Sequence, residues 1–500
     1  MSFASHIFVF YFLPLVLLGY CLIPQNPRFL RTAFLLIASY VFYGWLNPWF
    51  VALLFGTSGV NYILSIRMTQ CEGKYVRRIL ITIAVTINLG LLAFFKYAVF
   101  FQENLNHVLR FSGSDTMPVL RMVLPVGISF YTFRVLSYVI DVYRGNPPAY
   151  SFLDFACYVA FFPQLLSGPI QRYGTIDAKS GRSAPLLGET TPTFGVERSR
   201  DICLVTMRAS HLWAVPSQGS GQAYGAALFI LGFAKKVLLA DTVGQVADAV
   251  FAAEAPGTLD VWFGAAAYTF QLYFDFSAYS EMAIGLGAML GFECPRNFNA
   301  PYRANSITDF WRRWHISLSS WFRDYLYIPL GGNRRGVARS YFNLVVVFLL
   351  CGLWHGASWT FVVWGAYHGV FLTVERFLGK KTVQSFLPRP LQIGVTFVVV
   401  TVGWVLFRSP DMAHAWRLLE IMFTPSEPQG GSILLGAVIY TPEHLLTIAI
   451  CSLLAFQPVQ AFDWARSVTW FKTGVLVGLF CLSLMVMFTH TFRSFLYFQF

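Results

Sequence analysis

At 500 residues and 56.4 kDa the chain has the length of about three soluble domains, yet 56% of its residues are apolar and only 12% are charged, about half the usual charged share. Water cannot cover so much apolar surface, which excludes a soluble globular protein, a disordered chain and a secreted disulfide scaffold and leaves lipid as the expected solvent. Lys and Arg outnumber Asp and Glu by 36 to 24, a net charge of +12, which in a membrane chain points to basic cytoplasmic loops and not to nucleic acid.

A lipid-spanning helix needs roughly 20 mostly apolar residues and tolerates charge poorly, so charge-free runs locate the spans. Nine runs reach 17 residues: 1–27, 32–66, 79–95, 155–171, 209–234, 340–374, 390–407, 444–462 and 473–492. Two of them, 32–66 and 340–374, are 35 residues long and must fold back on themselves. The first is expected to turn at Asn47-Pro48 and the second near Gly352-Leu353-Trp354-His355-Gly356. About eleven spans follow. Two further apolar stretches, 122–143 and 261–292, carry Arg134 and Asp141, and Asp275 and Glu281. They are expected to line an interior, because charge at membrane depth must be surrounded by protein or water. Asp275 and Glu281 lie about 240° apart around a helix and should pair separately with buried cations or backbone.

No basic residue precedes Arg28, and the first run reads as a retained span, not a signal peptide. Basic residues at 28–31 and 67–78 flank an uncharged Asn47-Pro48 turn, which places the N-terminus outside the cytoplasm. The Ser-, Gly-, Thr- and Arg-rich stretch 172–222 reads as an extramembrane loop. Eight scattered cysteines form no C-x-x-C, so neither a metal site nor a disulfide framework is expected. The chain thus reads as one all-α, polytopic membrane domain over 1–500, with re-entrant or interfacial pieces besides its spans.

Chemistry concentrates in one region. Six of the fourteen tryptophans fall between Trp311 and Trp364, alongside three of the nine histidines, His315 and His355 within that stretch and His368 one turn after it. Over 309–324 helical spacing puts Trp311, Trp314, His315, Leu318 and Phe322 on one face and Arg312, Ser319 and Arg323 on the other. Such a basic, Trp-rich segment, 301–340, suits the membrane interface. Seven arginines against two aspartates between Tyr302 and Tyr341 serve topology or attract an anionic donor such as a phosphate-bearing thioester. The donor-binding candidates are Asp309, Arg312, Arg313, Trp314, Arg323 and Trp354. His355 lies deep in a charge-free run, where apolar surroundings favour the neutral imidazole that accepts a proton. The pairs Gly352/Gly356 and Gly365/Gly369 also fit close helix packing. There is no G-x-S-x-G, H-E-x-x-H or P-loop, and the glycines at 285, 287 and 291 lack dinucleotide-fingerprint spacing.

The stretches Leu124-Pro125-Val126-Gly127-Ile128-Ser129-Phe130-Tyr131-Thr132-Phe133, Phe162 to Ile170, Asp309 to Gly332, Gly352 to Trp359, Gly403 to Arg408 and Phe495 to Phe500 together resemble the membrane-bound O-acyltransferase superfamily, and within it the alginate O-acetylation branch. The stretch from about 174 to 222 departs from that pattern. The resemblance implies a ring of helices around a thin centre, with a cytoplasmic donor on one side and an acceptor reached from the other. It implies His355 as the catalytic histidine and His315 as the second active-site position. It further implies no bound cofactor, acetyl-CoA or a related thioester as donor substrate, extracytoplasmic acetyl-transfer partner proteins, and the bacterial inner membrane as location. Alginate leads the implied acceptors, followed by cellulose or another exopolysaccharide and peptidoglycan. A transporter or flippase, or a scaffold of a polysaccharide-secreting complex, remains the alternative that needs no covalent chemistry.

In the expected reaction neutral His355 takes the hydroxyl proton, while His315 orients a substrate or donates a hydrogen bond to the developing oxyanion.

Overall fold

The computed structural model describes residues 1–24, 26–120, 122–173, 221–379, 386–489 and 493–496. Among them every regular element is a helix. In chain order the α-helices are α1 (Leu13–Leu22), α2 (Arg28–Gly44), α3 (Trp49–Gln70), α4 (Lys74–Phe111), α5 (Ile128–Tyr143), α6 (Phe152–Ala160), α7 (Phe162–Leu165), α8 (Gly221–Ala234), α9 (Asp241–Ala252), α10 (Thr258–Met289), α11 (Ile307–Arg313), α12 (Ile316–Phe322), α13 (Val337–His355), α14 (Trp359–Leu378), α15 (Arg389–Arg408), α16 (Met412–Phe423), α17 (Leu435–Ile439), α18 (Pro442–Phe456), α19 (Ala461–Ala465) and α20 (Trp470–Thr489).

Among the described residues six helices are long and apolar enough to cross a bilayer: α3, α4, the unbroken helix Gly221–Ala252, α13, α15 and α20. A pair bent by 65°, Gly430–Ile439 with Pro442–Phe456, makes a seventh. Shorter or more polar helices stand in several of the other expected positions, among them Phe8–Leu22, α2 and α14. Both long runs fold back where expected, α2 into α3 across Asn47-Pro48 and α13 into α14 across Gly356-Ala357-Ser358. The run 155–171 is not one span. It is cut into α6 and α7 at Phe161, whose backbone leaves the helical region (φ −50°, ψ 106°) just before Pro163. Of the expected loop 172–222, residues 174–220 lie outside the described residues.

Three charges that had marked run boundaries sit inside helices instead. The chain passes Lys96 without a break, so α4 reaches 38 residues. It passes Lys235 and Lys236 through a π-turn, Lys235–Ala240, joining α8 to α9. The two lysines are tolerated because α10 supplies their counter-charges: Lys235 Nζ lies 2.7 Å from Glu281 and Lys236 Nζ 2.7 Å from Asp275. Asp275 also accepts the backbone N–H of Leu496 at 2.9 Å. The expected separate pairing of the two carboxylates is what the fold shows.

Helices α5 and α10 are the interior spines. Residues 128–139 and 267–287 are buried without interruption, as the charges in those stretches required. Arg134 donates to Val159 O at 3.2 Å and Gln164 Oε1 at 2.9 Å, and Asp141 accepts from Tyr325 at 2.6 Å. Two large apolar cores meet along these spines. Phe130, Phe133, Phe270, Phe274 and Phe276 belong to one, and Tyr131, Val135, Tyr279 and Met282 to the other. Close approach depends on glycine. A Cβ on Gly352 would strike the carbonyl of Phe361, and one on Gly365 that of Phe348, so α13 and α14 touch backbone to backbone.

Candidate active site

His355 is the last residue of α13 and is buried, 3% exposed. Its ring lies edge-on to Trp354, Trp364 and Phe407, with centroids 5.0, 5.2 and 5.2 Å away, so α13, α14 and α15 each contribute one wall. The last carbonyls of a helix have no partner within it. Here α4 provides the donors: Tyr97 Oη to Leu353 O at 2.7 Å, and Lys96 Nζ to Trp354 O at 2.5 Å and His355 O at 3.0 Å. Lys96 Nζ also reaches Ser129 Oγ of α5 at 3.4 Å. A cation at this end complements the helix dipole. Lys96 escaped the sequence reading because it served there only as the end of a run.

His315 does not lie on one continuous helix. Helix α11 starts at the Ser306 cap, whose side chain accepts Asp309 N–H, and stops at Arg313; Trp314 is extended and His315 is left-handed at φ 43°. That conformation costs roughly 1–2 kcal/mol for a residue with a Cβ. The neighbouring segment 297–299 holds the break open. Asn299 N–H donates to Arg313 O at 3.0 Å and Ile316 N–H to Asn297 O at 2.9 Å, replacing bonds that a continuous helix would make. Periodicity could not reveal this, because the partners lie outside the segment. The two stripes nonetheless survive the break: Trp311, Trp314, His315, Leu318 and Phe322 are buried, while Arg312 and Arg323 are exposed.

The indole of Trp354 links the two histidines, 6.1 Å from the His315 ring and 5.0 Å from that of His355. Phe130 and Phe133 of α5 back it at 5.2 and 5.5 Å. His368 is buried behind them, its Nδ1 3.4 Å from the donor Trp311 Nε1 and its ring 5.0 Å from Trp364.

A cavity of about 300 Å³ opens between α11–α12 and α13–α14. Arg312, Arg323 and Arg376 line it together with Leu318, Phe322 and Cys351, and Cys351 lies one turn before His355 on the same face of α13. Arg376, tied to Tyr327 Oη at 3.0 Å and Asn333 Oδ1 at 2.8 Å, lay just beyond the charge-free run and was missed. The other donor candidates are elsewhere. Asp309 and Arg313 pair with each other at 2.9 Å. Trp314 packs into an aromatic cluster, 5.1 Å from Trp404 and 5.5 Å from Phe310. Among the described residues no group of His, Cys, Asp and Glu is arranged to hold a metal ion.

Residues 73–408, which contain Lys96, Asn297, both histidines and the cavity, match the model of the membrane-bound O-acyltransferase family. The chain belongs to that family. Membership makes it a multi-pass membrane acyltransferase. It is 44% identical to a "probable alginate O-acetylase" of Pseudomonas aeruginosa, covering 85% of this chain and 75% of that protein. A protein of the same name in Pseudomonas putida is 40% identical over the whole of both chains. A "peptidoglycan O-acetyltransferase" of Helicobacter pylori is 35% identical over 84% of this chain and 79% of its own length.

Proposed function

We propose that this acyltransferase moves acetyl groups from a cytoplasmic thioester, acetyl-CoA or a close relative, across the bacterial inner membrane for O-acetylation of an exopolysaccharide, with alginate the first substrate to test. The observation that carries this reading is the cavity beside α13. Its arginines suit an anionic, phosphate-bearing carrier, its apolar side chains suit a thin acyl arm, and Cys351 brings its lining to the turn before His355. The names of the Pseudomonas relatives favour alginate over peptidoglycan as acceptor. Extracytoplasmic partner proteins complete the delivery in this reading, and the 301–340 segment serves as its cytoplasmic interface.

In the reaction the acceptor hydroxyl attacks the thioester carbonyl, a C–O bond forms, the C–S bond breaks, and the thiolate departs. The hydroxyl proton passes to neutral His355. Packed rings of Trp354, Trp364 and Phe407 exclude water that would hydrolyse the donor. A transporter gains no support, because Arg134, Asp275 and Glu281 are each engaged by a partner within the fold. The test is acetyl transfer in nanodiscs, using radiolabelled acetyl-CoA with alginate oligomers and partner-containing membrane extract as acceptors. Replacing a general base should cost on the order of 10² to 10⁴ in rate, so His355→Ala should abolish measurable labelling while still inserting and folding. Near-normal labelling by well-folded His355→Ala would overturn the assignment.

A further inference from the structure

The tautomer of His315 can be read from a donor that has no choice. Asn297, fully buried, has its Oδ1 3.2 Å from the backbone N–H of Ser317. That N–H can only donate, so the amide atom facing it must be the oxygen and the NH₂ must point the other way, where it donates to Ser280 Oγ at 3.2 Å. The same Oδ1 accepts from Ser317 Oγ at 2.8 Å. The Ser317 hydroxyl is the donor there, because a carbonyl oxygen carries no hydrogen, and the same hydroxyl accepts Ile170 N–H at 3.0 Å. His315 Nδ1 lies 3.1 Å from this oxygen and 3.5 Å from Ser317 Oγ. An acceptor oxygen can be met only by N–H, so in the neutral ring the hydrogen is on Nδ1 and the lone pair is on Nε2.

We infer that Asn297 is a positioning residue that locks His315 in the Nδ1–H tautomer, so that the second active-site histidine, while neutral, can act at Nε2 only as a hydrogen-bond acceptor that orients a substrate, gives no hydrogen bond to the oxyanion, and leaves the reacting hydroxyl's proton to His355. This rests on the acetyl-transfer reading above and narrows it. Of the two roles expected for His315, orienting a substrate stands and oxyanion donation does not. Asn297 does this through a fixed frame. Its carbonyl accepts from Ile316 N–H and its side chain joins α10 to the first turn of α12, which also holds His315 in its left-handed backbone state. No titratable side chain is needed for the lock, so it persists wherever the imidazole is neutral. The Gly168-Pro169-Ile170 motif enters the same frame by the Ile170 bond to Ser317.

The decisive measurement is the ¹⁵N spectrum of ring-labelled histidine in the intact protein in nanodiscs at about pH 8, with the His315 signals assigned by their loss in His315→Gln. The expected pattern is a protonated Nδ1 and a lone-pair Nε2; the reverse pattern overturns the inference without touching the acetyl-transfer reading. As a second arm, Asn297→Leu should lose on the order of 10² to 10⁴ in kcat, the range spanned by loss of a base and by a wrong tautomer, with the donor KM unchanged. Asn297→Asp keeps an acceptor oxygen at the same place and should restore most of that rate. A rise in donor KM with kcat retained, or equal loss in Leu and Asp variants that both fold, would reduce Asn297 to a structural role. If wild-type protein transferred no acetyl group, the functional reading would fail while the spectrum still decided the tautomer.

Discussion

At the scale of single residues, Lys96 shows how a buried charge can serve a neighbouring site. An ammonium group away from water is costly unless its hydrogen bonds are made, and Lys96 makes them to the carbonyls of Trp354 and His355 and to Ser129. Those carbonyls belong to the residue that walls the site and to the histidine itself, so the clamp fixes the end of α13 at the point where geometry matters most. Lys96→Met keeps the length and loses the donors, leaving α13 without its last cap. Hydrogen bonds to a charged group are worth about 1.5–3 kcal/mol, and thermal unfolding in detergent should report a loss of about that size. Turnover should fall in the same variant with little change in donor KM, because the cavity lining is untouched. Unchanged stability and unchanged turnover would mean that α13 holds its end without α4.

At the scale of helices, backbone contact decides which pairs must stay small. Gly365 on α14 has no room for a Cβ beside the carbonyl of Phe348, whereas Gly474 on α20 faces open space. Overpacking typically costs 1–3 kcal/mol and sometimes more, so Gly365→Val should lower the unfolding temperature and broaden the size-exclusion profile, while Gly474→Val should do neither. Equal behaviour of the two variants would count against a tight α13–α14 seam. The same seam was legible in the sequence as the small-residue pairs Gly352/Gly356 and Gly365/Gly369, and the fold-back points at Asn47-Pro48 and beside Gly356 were legible as turn chemistry. The burial of the central parts of 122–143 and 261–292, residues 128–139 and 267–287, followed from their charges alone. What could not be read was any feature whose cause lies far off in sequence. Lys96 is bonded 258 residues away to Trp354, the helix break at His315 is made by Asn297, and Lys235 and Lys236 continue a helix only because α10 brings Glu281 and Asp275 to meet them.

At the scale of the whole molecule, the excess of positive charge and the position of the cavity make one argument. Two apolar cores share α5 and α10, and the histidines lie in the core that also includes Trp311, Leu318 and Cys351. The cavity opens that core toward arginines whose side chains differ in freedom: Arg376 is tied to Tyr327 and Asn333, Arg323 is paired with Asp324 at 2.6 Å, and Arg312 has no ion pair among the described residues. Arg312 is therefore free to meet an incoming anion, and Arg376 is already held in place for one. Exposed charge attracts a soluble anion over about a Debye length, roughly 10 Å at 0.1 M salt. The donor KM should accordingly rise with ionic strength, and the slope of log KM against log salt should flatten in Arg312→Gln and in Arg376→Gln. The kcat at saturating donor should stay close to wild type, since neither residue touches the imidazoles. Arg417→Gln, a change outside the cavity lining, should leave the slope alone. A salt-independent KM in the wild type, or slopes unaltered in both cavity variants, would move the donor's anionic end away from this opening and leave the arginines to membrane topology.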